Sequence, residues 1–226
     1  MAKTVILDFY GTVVHEAHAL LDRIAEVFRA GGARCGNAEI HALWWRYFSS
    51  ACDAAHGAAF RPQKELYAPA LCRMEADTGA SVDVPSLVDE IVTFSRSSAP
   101  FDDSLKFLRE CPLPVCILSN IDDSELGYMI AKNGLAPAGV WTSERARAYK
   151  PRREIFESGL KAFGLRPEEA LYLGDSLRND YFGARGAGIL SVWLNRLGEA
   201  VPSGVELWAP DLYSALPIVE EWKNAE

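Results

Sequence analysis

Val5-Ile6-Leu7-Asp8-Phe9-Tyr10-Gly11-Thr12 is an apolar run that stops at a carboxylate and then turns on a glycine. Such a run predicts a buried parallel strand that delivers Asp8 to the C-terminal edge of a sheet, where open α/β sheets bind their ligands. A carboxylate held there can attack phosphorus or carbon as a nucleophile.

Outward from this stretch, short apolar runs alternate with amphipathic ones, with candidate strands at 4–9, 114–119, 139–142, 170–174 and 190–194. The alternation predicts an α/β fold with a Rossmann-like, doubly wound parallel sheet. Between the first strand and Pro100 a helical period takes over. It runs through Leu20, Leu21, Ile24, Val27 and Phe28, then Ile40, Leu43, Trp44, Tyr47 and Phe48, then Leu66 to Met74, then Leu87, Ile91 and Phe94. We therefore expect an all-helical insertion over 15–98 and a core made of 1–14 and 99–226. Hinges are expected near Val13 to His15 and Ser97 to Pro100.

Three more strand ends carry polar chemistry. Val115 to Leu118 runs into Ser119 and Asn120, and Asp122, Asp123 and Ser124 then open a helix. A serine hydroxyl beside the free N–H groups of a helix start suits an anion, although Ser-Asn there also serves as an ordinary helix cap. Lys150 precedes Pro151, which suits the first turn of a helix carrying Ile155, Phe156 and Leu160. A lysine at a helix N-terminus opposes the macrodipole, so a bound anion explains it better than stability does. Finally, Leu171-Tyr172-Leu173-Gly174 ends at Asp175, and Asp180 opens a Gly/Ala-rich helix. Asp175 and Asp180 brought beside Asp8 would raise one another's pKa unless a cation intervened, and Mg²⁺ suits a few carboxylate or carbonyl oxygens.

Taken together, the Asp-x-x-Gly-Thr stretch, Ser119-Asn120, Lys150-Pro151 and the Gly-Asp-x-x-x-Asn-Asp run resemble the four motifs of the haloacid dehalogenase-like hydrolase superfamily. The resemblance covers essentially the whole chain, and it implies a helical cap between the first and second motifs. Most members are magnesium-dependent phosphatases. It implies Asp8 as nucleophile, and a Mg²⁺ ion on Asp8, the Tyr10 carbonyl and Asp175, with Asp180 supporting the metal shell. Ser119 and Lys150 would clamp the transferring group, and Gly11, Thr12 and Asn120 would line the substrate. Thr12 either orients Asp8 or stabilises the turn.

One position departs from the phosphatase pattern. Where those enzymes carry a second aspartate as general acid and base, this chain has Tyr10. A phenol with a pKa of about 10 is a poor proton donor to an alkoxide at neutral pH. The Asp-x-Tyr-Gly-Thr form resembles instead the 2-haloacid dehalogenases, whose departing halide requires no proton. Those enzymes work without a metal, have a serine where this chain has Asp175, and receive the halide on a cap arginine. By matching, Trp45 takes that place and Arg46 follows, off the buried stripe and either facing the cleft or solvated. The resemblance thus implies a Mg²⁺-dependent phosphohydrolase acting on a small phosphorylated metabolite through an aspartyl phosphate. The alternatives are a 2-haloacid dehalogenase working through an aspartyl ester, and a catalytically weakened phosphate-binding module.

Composition narrows the partners. The chain has 226 residues, 49% of them hydrophobic, enough to bury a real core. A net charge of −8 with no Lys/Arg run argues against a nucleic-acid or membrane surface and leaves a small anionic substrate. Cys35, Cys52, Cys72, Cys111 and Cys116 form no CxxC pair, which fits reduced, buried thiols in the cytoplasm. The opening residues lead straight into the first strand with no apolar leader. His15, His18, His41 and His56 fall in the expected insertion and form no zinc-binding pair, so they read as ordinary polar or packing residues. Six tryptophans suit a core or an interface, leaving oligomeric state open.

Overall fold

The computed structural model describes residues 3–16 and 18–225, and of His18 the backbone alone. The reading of the His18 side chain, and of the first two residues, lies outside this set. The chain forms two compact units, Met1–His15 with Ala99–Glu226, and Glu16–Ser98.

The first unit is built on a parallel sheet. Its strands are β1 (Thr4–Leu7), β2 (Val115–Ser119), β3 (Gly139–Thr142), β4 (Ala170–Gly174), β5 (Leu190–Leu194) and β6 (Trp208–Ala209), in the order β3-β2-β1-β4-β5-β6. The chain builds outward from β1 through β2 and β3, then returns to the other side of β1 with β4. The topological switch point, where such sheets bind ligands, therefore lies between the ends of β1 and β4. In register Leu7 pairs with Leu173, so Asp8 leaves the sheet beside Gly174, the last residue of β4, with Asp175 one residue on.

Helices cover both faces. Period-2 alternation sends Val5, Leu7, Ile117, Leu171, Leu173 and Val192 to one face. There they pack against α5 (Asp102–Glu110), α6 (Asp123–Lys132) and α10 (Leu216–Asn224) through Phe107, Leu126, Met129 and Val219. Ile6, Cys116, Leu118 and Tyr172 take the other face, under Ile155, Phe156 and Leu160 of α8 (Arg153–Phe163) and Ala184 of α9 (Gly183–Gly186). The short helix α7 (Ser143–Ala146) follows β3 directly.

The second unit packs α1 (His18–Ala30), α2 (Asn37–Ala54), α3 (Gln63–Thr78) and α4 (Val84–Ser97) around Ile24, Phe28, Ile40, Trp44, Leu71, Met74, Leu87 and Ile91. Each such side chain, fully buried, stabilises by roughly 1.5–3 kcal/mol. Trp44 and Phe48 stack at 5.2 Å, one helical turn apart on the stripe read from the sequence.

Several expectations need correction. β1 ends at Leu7, two residues early, because Phe9 already accepts the N–H groups of Val13 and Val14 in a tight turn. β2 starts at Val115 because Pro114 uses only its carbonyl, accepting from Val5. α8 starts at Arg153, so Pro151 precedes its first turn; the Lys150–Pro151 peptide is cis. β6 is an addition to the expected strands, since two residues are too short to show alternation. All five cysteines are free, but Cys72 is exposed. His15 packs tilted against Phe101, ring centroids 3.7 Å apart, within the first unit, and His41 lies 3.5 Å from Asp22 in the second. Among the described residues no helix is long and apolar enough to cross a membrane.

Candidate active site

Asp8 follows the fully buried β1 and is itself 6% exposed; its N–H donates to the Leu173 carbonyl at 3.0 Å, which fixes it against β4. Carboxylate oxygens of Asp8, Asp175 and Asp180 lie within 4.8 Å of one another. Lys150, 4% exposed, reaches into this group and donates to Asp8 Oδ1 at 2.6 Å, Asp180 Oδ1 at 2.5 Å and the Tyr172 hydroxyl at 3.0 Å. An ammonium has three N–H donors, and here each has a partner.

The local chain explains these positions. After Asp175 the backbone winds as a π-helical turn over Leu177–Phe182, with the Tyr181 N–H reaching five residues back to the Ser176 carbonyl. The turn points Asp180 back at the sheet, where Oδ2 accepts from the Ser176 N–H at 3.0 Å. Asp180 therefore sits inside this turn and does not open a helix as expected. Gly174 permits the approach, because a Cβ there would fall 2.4 Å from Asp180 Cγ. Gly11 does the same on the other side: its φ is +78°, and a Cβ would fall 2.4 Å from Asp175 Oδ2. The buried Thr12 hydroxyl donates to Asp175 Oδ1 at 3.3 Å, so its partner is Asp175.

The charges are strongly coupled. Burial pushes the Asp180 carboxyl up to about 6, with the Lys150 ammonium pulling it down and Asp8 pushing it up. Burial alone would lower Lys150, but Asp180 and Asp8 outweigh it and hold the ammonium above the ordinary lysine range. Burial, with Asp180 and Asp8 adding to it, keeps the Tyr172 phenol far above its usual pKa and so protonated. Three carboxylates against one ammonium leave a surplus of negative charge. Hard oxygen donors this close together fit a small divalent cation.

The remaining expected residues separate. Ser119 is buried at the end of β2, beside Thr142 of β3. Asn120, expected to line the substrate, turns its amide elsewhere: it brackets the Lys150 backbone, accepting from its N–H at 2.7 Å and donating to its carbonyl at 3.2 Å. Tyr10 is half-buried, edge-on to Phe9, and bridges to Val14. Arg46 belongs to the second unit, on the exposed side of α2 with its guanidinium 5.4 Å from the Tyr47 ring.

Some contributors carry no readable signal. Tyr172 passes for an ordinary strand former, yet its hydroxyl also lies 2.9 Å from the Leu118 carbonyl and 3.0 Å from Asp180 Oδ1. Trp193 donates its indole N–H to the Asp175 carbonyl at 2.8 Å, and Arg196 bonds the carbonyls of Gly11 and Thr12. Apart from the polar pair Asn195-Arg196 after an apolar strand, nothing in the sequence marks them.

A carboxylate at the switch point, a buried lysine and two further acidic groups make up the candidate site. The profile of the haloacid dehalogenase-like hydrolase family matches residues 2–188, and the chain belongs to that family. Its relatives divide in activity. A phosphoserine phosphatase of Thermus thermophilus is 28% identical over 200 residues, covering 86% of this chain and 78% of its own. Haloacetate dehalogenase H-2 of Moraxella sp. is 24% identical over 210 residues, covering 88% of each. The crystal structure of L-2-haloacid dehalogenase from Xanthobacter autotrophicus superposes with a TM-score of 0.78 at 20% identity, covering 97% of this chain and 99% of its own.

Proposed function

We propose that this hydrolase is a Mg²⁺-dependent phosphohydrolase acting on a small phosphorylated metabolite. The observation that carries the reading is the third carboxylate. Carboxylate oxygens of Asp175, Asp8 and Asp180 lie within 4.8 Å of one another, a concentration of negative charge that the single Lys150 ammonium does not balance and a divalent cation would. The phosphoserine phosphatase among its relatives is of this reaction class.

Asp8 and Asp175, with the Tyr10 carbonyl, would hold the ion, and Asp180 would support them. The ion would supply positive charge against the phosphoryl oxygens. Asp8 attacks phosphorus, forming the Asp8 O–P bond as the bond to the substrate oxygen breaks. Lys150, already on Asp8 Oδ1, holds that carboxylate in place and neutralises part of the developing charge. Ser119 binds a phosphoryl oxygen from the end of β2. Water then attacks the phosphorus of the aspartyl phosphate, releasing phosphate and restoring Asp8. No carboxylic acid stands at position 10 to protonate the leaving oxygen, so turnover favours substrates whose leaving groups depart without help. The helical unit acts as the cap that selects among them.

Tyr10 favours a second reading, metal-independent 2-haloacid dehalogenation, in which Asp8 attacks carbon and halide departs. One preparation separates the two. Phosphate release from a phosphoester and acyl-phosphate panel that disappears with chelator and in Asp8→Asn supports the first. Chelator-insensitive chloride release from 2-chloropropionate supports the second, and phosphate binding with neither activity supports a weakened binding module.

A further inference from the structure

We propose that Arg196, on the loop after β5, is a positioning residue that sets the distance between Asp175 and Asp8 by clamping the Gly11-Thr12 turn. The guanidinium donates from Nε to the Gly11 carbonyl at 3.0 Å and from Nη2 to the Thr12 carbonyl at 2.8 Å. It is held in turn by a two-pronged pair with Asp103, at 3.1 and 2.9 Å, and lies over the Phe101 ring at 3.8 Å. Asp103 is itself fixed by the Leu212 N–H at 3.0 Å, and Ser104 adds a second donor to the Thr12 carbonyl at 3.0 Å. A planar fork is needed to meet two carbonyls and a carboxylate at once, and lysine cannot replace it.

The clamped turn is the one that touches Asp175. Gly11 lies so close to the Asp175 carboxylate that no Cβ fits, and the Thr12 hydroxyl bonds the same carboxylate. Trp193, three residues before Arg196, holds the Asp175 carbonyl. One strand end therefore grips Asp175 from both sides, directly through the indole and indirectly through the turn. The turn also leads straight into residues 13–15, which pair with Ala99, Pro100 and Phe101 where the chain returns from the helical unit. Arg196 thus secures Asp175 through its neighbours, touching neither Asp8 nor Asp175 itself.

The link to metal affinity rests on the phosphohydrolase reading; the clamp on the turn does not, so two readouts are used. Calorimetric Mg²⁺ titration of the full chain should show Arg196→Lys binding roughly ten- to a hundredfold more weakly than wild type, as expected when a metal ligand loses its support. Ser104→Ala, which removes only one of the Thr12 carbonyl's donors, should lie between. Amide hydrogen exchange without metal should speed up at Val13 and Val14 in Arg196→Lys and stay unchanged in β2 and β3. Wild-type affinity in Arg196→Lys overturns the proposal, as does unchanged exchange at Val13 and Val14. A wild-type chain that binds no Mg²⁺ refutes the phosphohydrolase reading, and the exchange experiment then decides the clamp by itself. Should Arg196→Lys not fold, Asp103→Asn, which weakens the clamp from behind, is read by the same two criteria.

Discussion

Gly11→Ala isolates the close approach on which the acidic cluster depends. Two costs combine at this position. A φ of +78° places an L-residue in the left-handed region, at about 1–2 kcal/mol. The new Cβ also falls 2.4 Å from Asp175 Oδ2, and relieving such an overlap in packed surroundings costs about 1–3 kcal/mol. Gly164 supplies the control within the same unit, with a φ of +69° at the end of α8 and no atom within 4 Å of where a Cβ would stand. Gly164→Ala therefore carries the backbone cost alone. Urea unfolding in chelator should show Gly11→Ala the less stable of the two by about 1–3 kcal/mol. The displaced Asp175 carboxylate should also weaken Mg²⁺ binding in Gly11→Ala and not in Gly164→Ala. Equal stability and equal Mg²⁺ affinity in the two variants would refute the idea that Gly11 exists to admit Asp175.

Lys150→Met leaves Asp8 and Asp180 buried without their ammonium and should lose about 3–5 kcal/mol in chelator, with saturating Mg²⁺ restoring part of it in the same unfolding assay. The raised Asp180 pKa gives stability a definite sign with pH. Its carboxyl titrates at about 6 in the fold against 3.8 for a free group, so its contribution is fully present below about 4 and is lost as pH rises through 6. Compared with Asp180→Asn in chelator, the wild type should lose about 3 kcal/mol between those limits, and a difference that grows with pH instead would contradict the assignment. Tyr10→Asp supplies the missing acid and should raise phosphate release from alkyl phosphates by about 10²–10⁴ while changing aryl and acyl phosphates much less, measured by steady-state kinetics.

The parts of this molecule that are readable in the sequence are those where one residue type does one job. Leu7 into Asp8, Leu118 into Ser119 and Gly174 into Asp175 each show an apolar strand ending in a polar group, and parallel strands end on one rim whatever the rest of the chain does. The stripe of Ile40, Trp44 and Phe48 is legible in the same way, through the helical period. What stays hidden depends on folding distant segments together. Tyr172 of β4 bonds Lys150 only because the fold brings the loop before α8 back to that strand, and Arg196 reaches Gly11 across 185 residues of chain. The π-helical turn under Asp180 is invisible because one added residue per turn leaves no compositional trace. Asn120 reads as a ligand contact from its place beside Ser119, whereas its amide serves the backbone of Lys150, a partner 30 residues away.

On the phosphohydrolase reading, Asp8, Asp175 and Asp180 gather to hold a divalent cation for phosphoryl transfer. Direct Mg²⁺ titration by calorimetry, with wild type beside Asp175→Ser, tests it most simply. One-site binding is expected in the wild type and its loss in the serine variant, together with loss of phosphate release. Absence of Mg²⁺ binding in the wild type, or binding that survives Asp175→Ser unchanged, would contradict it.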